Sequence, residues 1–295
     1  MLILIADAFD KSLPAKLSVF GEVTDDISRL PEADVVLIRS KTKATREYID
    51  QAKKMKVILR GGVGMDNIDR AYCKEKGIIA MNTPHASAPA VAELAFALML
   101  STAARICFFD SSMKKGEWAK KEKRTELLGK TLGLIGFGNI SKALALRAKA
   151  FGMKVVYYDI IKSDVDYAEY KSSMDEVVEN ADYISFHIPF TPETDRVLNK
   201  DLIAKMKKAP VIINTARGKI VNEQDVADAL KEGKLSWYCT DVYSAEPPVM
   251  AENPLFTSDR VTFTPHVGAN SKENLLRIGD EIYETIEKYH KEGII

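Results

Sequence analysis

The chain has 295 residues, of which 46% are hydrophobic and 28% charged, a composition that excludes disordered and fibrous proteins and predicts one large or two ordinary domains. Lysine plus arginine and aspartate plus glutamate both number 42, so the formal net charge at pH 7 is zero. A neutral surface has no overall field that would attract nucleic acid or an anionic membrane. We therefore expect neither as a partner.

The sequence has no signature of a membrane span, a leader or a metal site. Its longest apolar helical stretch, residues 91–100, is about half a bilayer span and contains Glu93. The first seven residues lack a basic region and predict a buried strand instead of a signal peptide. Cys73, Cys107 and Cys239 lack metal-ligand spacing. We expect a cytoplasmic protein without a bound metal.

Short runs rich in Val, Ile and Leu alternate with longer helical patterns along the chain. The predicted strands are residues 2–6, 35–38, 57–59, 132–135, 155–158, 183–186, 211–213 and 261–263. A helical pattern from Ala88 to about Met113 joins the two series of strands, and another runs from Lys272 to about His290. Continuous apolar strands separated by helices predict parallel sheets covered on both faces, the α/β class.

We predict two doubly wound parallel-sheet domains. Residues 1–95 plus 271–295 are expected to form a substrate-binding domain, with the helix predicted from Lys272 to about His290 buried against its sheet. Residues 96–270 are expected to form a Rossmann dinucleotide-binding domain. Ligands of open α/β sheets bind at the carboxyl ends of the strands, so the informative residues should follow the strands directly.

The fourth predicted strand runs into a glycine turn and a helix that match G-x-G-x-x-G, with Ser141 in the third glycine position. Gly136 is suited to the tight turn, and Gly138 lets the backbone approach a pyrophosphate. The amides of Asn139 and Ile140 open a helix whose dipole favours that anion. We expect Ser141 to crowd the packing of helix on strand slightly.

An acidic residue stands where a dinucleotide site needs one. Asp159 ends the next strand, 159 − 138 = 21 residues after Gly138, the separation at which a carboxylate binds the adenosine ribose. Its charge would repel a 2′-phosphate, so the pattern favours NAD over NADP. The alternative is a glycine turn required only for packing and an Asp159 that caps the next element.

The four histidines differ in their surroundings. His290 lies among lysines of the last helix and is expected to be solvated, whereas His85 follows a loop proline, with a structural role or a ligand contact equally open. His187 ends a strand and is expected to line the cofactor groove. His266 also ends a strand and is suited to proton transfer near neutral pH. The alternative for His266 is a structural hydrogen bond to the backbone.

Two further strand ends supply partners for such a histidine. Arg217 follows the seventh predicted strand and presents a guanidinium that can bind a carboxylate or carbonyl. Asp241 and Glu246 follow another apolar run, which places Asp241 near a nicotinamide and Glu246 beside His266 to orient the imidazole. Singly these are ordinary ion-pairing residues. Together they predict a hydride-transfer site.

Ordered motifs along nearly the whole chain resemble those of the D-isomer-specific 2-hydroxyacid dehydrogenase family, and within it the phosphoglycerate dehydrogenases. The motifs are residues 39–45, 60–69, 82–84, 91–93, 136–141, 187–189, 214–218, 241–247 and 264–268. The resemblance implies that Arg217 holds the substrate carboxylate or carbonyl, that His266 is the acid/base and that Glu246 orients it.

The resemblance also implies the binding residues, a homodimer and NAD as the cofactor. The implied cofactor-binding residues are Gly136, Gly138, Asn139, Ile140, Asp159, His187, Ile188, Pro189, Thr215, Ala216, Asp241 and Gly268. The implied substrate-binding residues are Arg39, Ser40, Arg60, Gly62, Val63 and Gly64. The dimer would form around the nucleotide domain and an arm near Trp118, which is equally consistent with ordinary core. The chain ends soon after its last helix, so we expect no C-terminal regulatory domain.

Two guanidiniums at strand ends of the first domain favour a phosphorylated substrate. Arg39 and Arg60 exceed what one carboxylate requires, whereas a phosphate would use both. The alternative is that either arginine bridges Asp66 or Asp69. We therefore expect oxidation of D-3-phosphoglycerate with NAD, in serine biosynthesis. The alternatives are a glyoxylate or hydroxypyruvate reductase, another D-2-hydroxyacid dehydrogenase, or a non-catalytic NAD-sensing corepressor.

Overall fold

The structure, a computed structural model, describes residues 1–295 and divides into two compact units. The first unit comprises Met1–Ala90 and Ala269–Ile295, and the second comprises Val91–Gly268. The strands are β1 (Leu2–Ile5), β2 (Glu22–Thr24), β3 (Val35–Ile38), β4 (Val57–Arg60), β5 (Ile79–Asn82), β6 (Thr131–Ile135), β7 (Lys154–Tyr158), β8 (Glu169–Tyr170), β9 (Tyr183–Phe186), β10 (Val211–Asn214), β11 (Trp237–Thr240) and β12 (Val261–Phe263). The helices are α1 (Leu13–Leu17), α2 (Arg46–Gln51), α3 (Arg70–Glu75), α4 (Ala88–Ala104), α5 (Ile106–Lys114), α6 (Asn139–Ala150), α7 (Met174–Glu179), α8 (Lys200–Ile203), α9 (Glu223–Lys231) and α10 (Lys272–Lys291).

The first unit is built on a five-stranded parallel sheet in the order β2-β1-β3-β4-β5. Successive side chains of a strand point to opposite faces, so the apolar runs of β1, β3 and β4 supply two buried layers. One layer packs against α1 and α10, where Ile278, Ile282 and Ile286 are fully buried. The other layer packs against α2 and α3. Helix α10 therefore belongs to the first unit.

The second unit is built on a seven-stranded parallel sheet in the order β12-β11-β10-β9-β6-β7-β8. One face is covered by α4 and α6, and the other by α7, α8 and α9. At Gly133 an added Cβ would lie 2.7 Å from Val177 Cγ1, so the glycine allows α7 to approach β6 closely. The strand order reverses between β6 and β9, the point at which doubly wound sheets bind ligands. Both sheets confirm the predicted fold class.

The structure corrects the predicted linker helix and adds strands that the apolar pattern did not indicate. The pattern from Ala88 to Met113 is two helices, since Arg105 adopts a left-handed conformation with φ 53° and places its guanidinium 4.1 Å from the centroid of the Phe108 ring. Strands β2 and β8 are short, partly exposed and without a continuous apolar run, whereas β5 carries the run Ile79–Met81 but is only half-buried. No single helix is both long enough and apolar enough to cross a membrane. Helices α4 and α5 reach that length and hydropathy only when they are counted together, and the chain bends by 58° between them.

Candidate active site

The glycine turn after β6 offers the space that a dinucleotide needs. Gly136 has φ 87°, and an added Cβ would lie 2.7 Å from the carbonyl oxygen of His187, so only glycine fits between β6 and β9. An added Cβ at exposed Gly138 would meet nothing within 4 Å, which leaves the approach to the first turn of α6 open. Gly138 caps α6 without a side chain, and Asn139 and Ile140 begin the helix. Open space before helical amides fits a pyrophosphate.

Ser141 and Asp159 are tied to the same turn. Ser141 is fully buried, and its hydroxyl donates to the carbonyl oxygen of Gly136 at 2.6 Å. The sequence pattern predicted crowding at Ser141 and did not reveal this hydrogen bond. Asp159 accepts from the amide of Phe137 at 2.6 Å and from the amide of Ile161 at 3.0 Å. Each carboxylate oxygen keeps lone-pair capacity for a ribose hydroxyl.

The loop after Asp159 presents little that would bind a 2′-phosphate. Ile160 and Ile161 are exposed apolar residues. The ammonium of Lys162 lies 5.6 Å from the centroid of the Tyr170 ring, a cation–π distance. The nearest cation to Asp159 along the chain is therefore engaged with an aromatic ring.

The segment after β9 lies against the glycine turn. His187 Nε2 is 2.9 Å from the Ser185 hydroxyl, while its Nδ1 is buried without a protein partner. Burial lowers the pKa of His187 to about 4, so the ring is neutral at neutral pH. Ile188 and Pro189 follow, and the Cγ2 of Ile188 would lie 2.9 Å from a Cβ at Gly136. This arrangement brings the two predicted cofactor segments together.

The loop after β10 positions Arg217 through its own backbone. The side chain of Asn214 accepts from the amide of Ala216 at 3.0 Å and donates to the carbonyl of Arg217 at 2.9 Å. Arg217 in turn donates from Nη1 to the carbonyl of Ala216 at 2.6 Å. Thr215 is buried, and its hydroxyl has no protein partner. At Gly218 an added Cβ would overlap the carbonyl of Tyr243, so this loop lies directly on the loop after β11.

Asp241 organises the segment that carries His266. The buried carboxylate accepts from the Thr264 hydroxyl at 2.6 Å and from the amides of Val267 and Gly268 at 2.9 and 2.8 Å. Sequence reasoning placed Asp241 near a nicotinamide and did not anticipate these bonds, because they depend on which loop lies beside β11. The carboxylate thus fixes the backbone on both sides of His266.

Glu246 and His266 form a hydrogen-bonded pair of ionisable side chains at this edge of the sheet. His266 Nδ1 lies 2.6 Å from Glu246 Oε2, and Glu246 Oε1 accepts from the amide of Tyr243 at 3.1 Å. Partial burial raises the pKa of the Glu246 carboxyl, but the hydrogen bond and charge of His266 and the charge of Arg217 outweigh it and bring the pKa below its ordinary value. The structure thus brings all three predicted catalytic residues together, with a carboxylate that is ionised at neutral pH.

The first unit presents its predicted residues on the loops after β3 and β4. Arg39 is half-buried and Ser40 exposed, and Asp7 accepts from the amide of Arg39 at 2.5 Å. Asn67 donates to the carbonyl of Arg39 at 2.6 Å. Asp7 lies two residues after the end of β1, so its place at a strand end was the signal that sequence reasoning missed.

The glycine-rich loop after β4 is held by two polar side chains. The amide of Gly62 donates to the Thr83 hydroxyl at 2.7 Å, and the Asn82 side chain donates to the carbonyl of Val63 at 2.6 Å. Gly62 has φ 137°, and an added Cβ would overlap the guanidinium of Arg60. Val63 is exposed, and Gly64 follows half-buried. The arginine therefore packs directly on the glycine backbone.

Comparison with known proteins places this geometry in one family. Residues 96–268 match the model described as the D-isomer specific 2-hydroxyacid dehydrogenase, NAD binding domain. The chain is 46% identical to a hydroxypyruvate reductase of Thermotoga maritima over 88% of this chain and 85% of the reductase. It is 42% identical to a D-3-phosphoglycerate dehydrogenase of Methanocaldococcus jannaschii over 97% of this chain, but spans only 57% of that relative.

Solved structures show the same architecture. The D-lactate dehydrogenase of Aquifex aeolicus, complexed with NAD and lactic acid, superposes with a TM-score of 0.85 and 30% identity over 99% of this chain and 96% of that one. The family match covers more than half of the chain and includes the glycine turn, Asp159 and the Arg217, Glu246 and His266 segments. The chain belongs to the D-isomer-specific 2-hydroxyacid dehydrogenases and carries their NAD-binding domain.

Proposed function

We propose that this NAD-dependent dehydrogenase interconverts D-3-phosphoglycerate and 3-phosphohydroxypyruvate. The observation that carries the chemistry is the 2.6 Å pair between His266 Nδ1 and Glu246 Oε2, with the charge of Arg217 acting on the same carboxylate. Bonding at Nδ1 fixes the tautomer and leaves Nε2 to exchange a proton with the substrate.

Arg217, His266 and Glu246 each have a separate role in the reaction. Arg217 binds the substrate carboxylate or the developing carbonyl through its guanidinium. His266 accepts the hydroxyl proton at Nε2 as the C–O bond becomes a carbonyl, and Glu246 stabilises the resulting imidazolium. Asp159 and the first turn of α6 would hold NAD, which would supply the acceptor for the hydride, with its two electrons, that leaves the carbon bearing the hydroxyl. In the reverse direction His266 returns the proton to the alkoxide oxygen.

The preference for a phosphorylated substrate is supported by the arginines of the first unit. Arg39 is half-buried, makes no ion pair, and has a buried Nε without a protein partner, and burial lowers the pKa of its guanidinium. Asp69, one of its two possible structural partners, is engaged by Arg46 and by the amide of Tyr72. A phosphate would compensate a guanidinium held in such surroundings.

Hydroxypyruvate reduction is the second candidate, favoured by the 46% identity to the Thermotoga maritima reductase over most of both chains. The two activities use the same acid/base pair and the same hydride transfer. They differ only in whether the substrate carries a phosphate, so the arginines of the first unit and not His266 separate them.

A comparison of phosphorylated and unphosphorylated substrates tests the assignment of D-3-phosphoglycerate. We expect kcat/KM to be higher for D-3-phosphoglycerate than for D-glycerate, and for 3-phosphohydroxypyruvate than for hydroxypyruvate. Arg39→Ala should lower kcat/KM for the phosphorylated compounds about 10- to 100-fold more than for the free acids, the loss of a charge-assisted hydrogen bond. Arg46→Ala, which removes an exposed arginine of the same unit, is the control. Equal losses for both substrate classes would favour the reductase.

We further propose that a second copy of the chain covers the arm formed by residues 106–120. Ile106, Met113 and Trp118 are exposed there, Trp118 by 75%. A cavity of about 290 Å³ lies between Phe109, Met113 and Trp118. Exposed apolar side chains beside a recess are typical of protein interfaces, and the family resemblance supports a homodimer.

A further inference from the structure

One peptide unit of the glycine turn is hydrogen-bonded at both of its ends. Its carbonyl, from Gly136, accepts from the buried Ser141 hydroxyl at 2.6 Å. Its amide, from Phe137, donates to Asp159 Oδ2 at 2.6 Å. Because a peptide unit is planar, turning the carbonyl also turns the amide. The serine at one end therefore fixes the donor that holds the carboxylate at the other.

Other contacts hold the Asp159 carboxylate and the loop that follows it. Asp159 Oδ1 accepts from the amide of Ile161 at 3.0 Å. The Tyr157 hydroxyl donates to the carbonyl of Ser163 at 2.9 Å and accepts from its amide at 3.1 Å, which fixes the loop that follows. The Phe137 ring stacks on Tyr157 at 3.7 Å between centroids. Among these contacts around Asp159, the Gly136–Phe137 peptide is the part that a helix residue, Ser141, holds in place.

We propose that Ser141 is a positioning residue for recognition of the adenosine ribose. Its hydroxyl holds the Gly136–Phe137 peptide so that the Phe137 amide aims the Asp159 carboxylate at the ribose hydroxyls. The hydrogen bond to the carbonyl also polarises the peptide and strengthens its amide as a donor. This inference rests on the proposed cofactor-binding role of Asp159.

A purely steric role for Ser141 leads to the opposite expectation. If the side chain only crowds β6 against α6, removing its hydroxyl relieves the contact and leaves cofactor affinity unchanged or improved. If the hydroxyl positions Asp159, its removal weakens binding of the adenosine half of the cofactor and spares the nicotinamide half. Ser141→Ala separates the two because alanine keeps the Cβ and the helix propensity.

The experiment measures the Kd of NADH, of ADP-ribose and of reduced nicotinamide mononucleotide by titration calorimetry. We expect Ser141→Ala to raise the Kd of NADH and ADP-ribose about three- to tenfold, the effect of one hydrogen bond, and to leave the Kd of the mononucleotide and kcat at saturating NAD within twofold. Thr102→Val is the control, since the hydroxyl of this residue of α4 also donates to a backbone carbonyl, that of Leu98, and otherwise contacts Cys239 Sγ. The control should leave all three Kd values unchanged.

A double-mutant cycle with Asp159→Ala tests whether Ser141 influences NADH binding through the Asp159 carboxylate. With the carboxylate gone, Ser141→Ala should weaken NADH binding no further. Equal weakening in both backgrounds would overturn the inference, as would an unchanged Kd in Ser141→Ala alone, while the proposed role of Asp159 would stand. An unchanged Kd in Asp159→Ala alone would instead remove that role, and the inference with it.

Discussion

At the scale of single residues, His266 combines an exposed ring with a tightly determined backbone. Its φ of 52° lies in the left-handed region, which costs energy for a residue with a Cβ. The three hydrogen bonds that Asp241 accepts from Thr264, Val267 and Gly268 compensate for this conformation. The imidazole is thereby aimed before any substrate arrives.

Replacing that imidazole should abolish most of the chemistry and little of the binding. We expect His266→Ala to lower kcat about 10²–10⁴-fold, the usual contribution of a positioned acid/base group, with the Kd of NADH unchanged by titration. His290→Ala removes an exposed histidine of α10 and is the control. Near-normal turnover in His266→Ala, together with loss of turnover but not of NADH binding in His187→Ala, would show that the wrong histidine was assigned.

The neighbouring carboxylate should affect the pH dependence more than the rate. We expect Glu246→Gln to lower kcat less than His266→Ala does and to move the ketone-reduction profile to lower pH. An amide no longer stabilises the imidazolium that donates the proton. The measurement is kcat against pH for reduction of the keto acid. An unshifted profile would mean that the 2.6 Å contact does not influence the proton donor.

Cofactor choice is expected to depend on Asp159. We expect the enzyme to prefer NAD, and Asp159→Ser to raise kcat/KM with NADP relative to NAD about 10- to 100-fold, the range of a charge-assisted hydrogen bond. Asp164→Ser, which removes an exposed carboxylate from the same loop, should leave the ratio unchanged. Initial rates with both cofactors measure it. A wild-type preference for NADP would contradict the assignment.

At the scale of elements, the loops after β10 and β11 are locked together at Gly218. A side chain there would overlap the Tyr243 carbonyl, which belongs to the loop that carries Glu246. We expect Gly218→Ala to lower the free energy of unfolding by about 3 kcal/mol, at the upper end of the cost of overpacking, and to reduce kcat by displacing Glu246. Urea unfolding and initial rates measure the two effects.

A glycine in a helix provides the control for that substitution. At Gly279 in α10 an added Cβ would lie 3.5 Å from Leu13 Cδ1, an ordinary contact, so Gly279→Ala should preserve or raise stability. If Gly218→Ala were as stable and active as the wild type, the two loops would not be packed as the structure has them.

Elements with strong local signals were predictable from sequence, and those that depend on distant neighbours were not. Strands β1, β3, β4, β6, β9 and β10 are buried along their whole length or nearly so, and their continuous apolar runs revealed them. Edge strand β2 is half-exposed and carries no such run. The break at Arg105 has neither glycine nor proline to indicate it. The glycine turn is local, but the bonds of Asp241 join residues more than 20 positions apart.

At the scale of the whole molecule, the neutral His187, half-buried with its Nδ1 atom fully buried, should make stability depend on pH. Its pKa is about 4 in the folded chain and near 6.5 when solvated. Above pH 6.5 the ring is neutral in both states. As the pH falls from 6.5 towards 4, only the unfolded chain takes up this proton. The equilibrium constant for unfolding therefore rises by up to about tenfold for each pH unit, and the folded state becomes less stable.

A difference measurement isolates that contribution from other groups. Urea unfolding at pH 7 and pH 4.5 should show a smaller loss of stability for His187→Gln than for the wild type. His290→Gln, at an exposed histidine, should behave as the wild type does. Parallel losses in all three proteins would mean that His187 is accessible to protons in the folded state.

The state of assembly is expected to depend on the arm of residues 106–120. We expect Trp118→Ser to convert a dimer to a monomer in sedimentation velocity, because it removes the largest exposed apolar side chain of the proposed interface. Val19→Ser, at another exposed apolar residue, should leave the sedimentation coefficient unchanged. A monomeric wild type would contradict the proposed homodimer.

The return of the chain to its first unit has a consequence for synthesis on the ribosome. Residues 91–268 emerge as one uninterrupted segment, so the nucleotide-binding unit can fold as soon as it leaves the exit tunnel. The first unit has to wait, because the layer formed by Ile3, Leu37 and Leu59 is covered by α10, which is translated only after the whole of the nucleotide-binding unit. At about 5–20 residues per second, that apolar face stays open for many seconds after its strands exist. The unit whose synthesis begins first therefore becomes complete only after the nucleotide-binding unit, and it has the greater need of a chaperone.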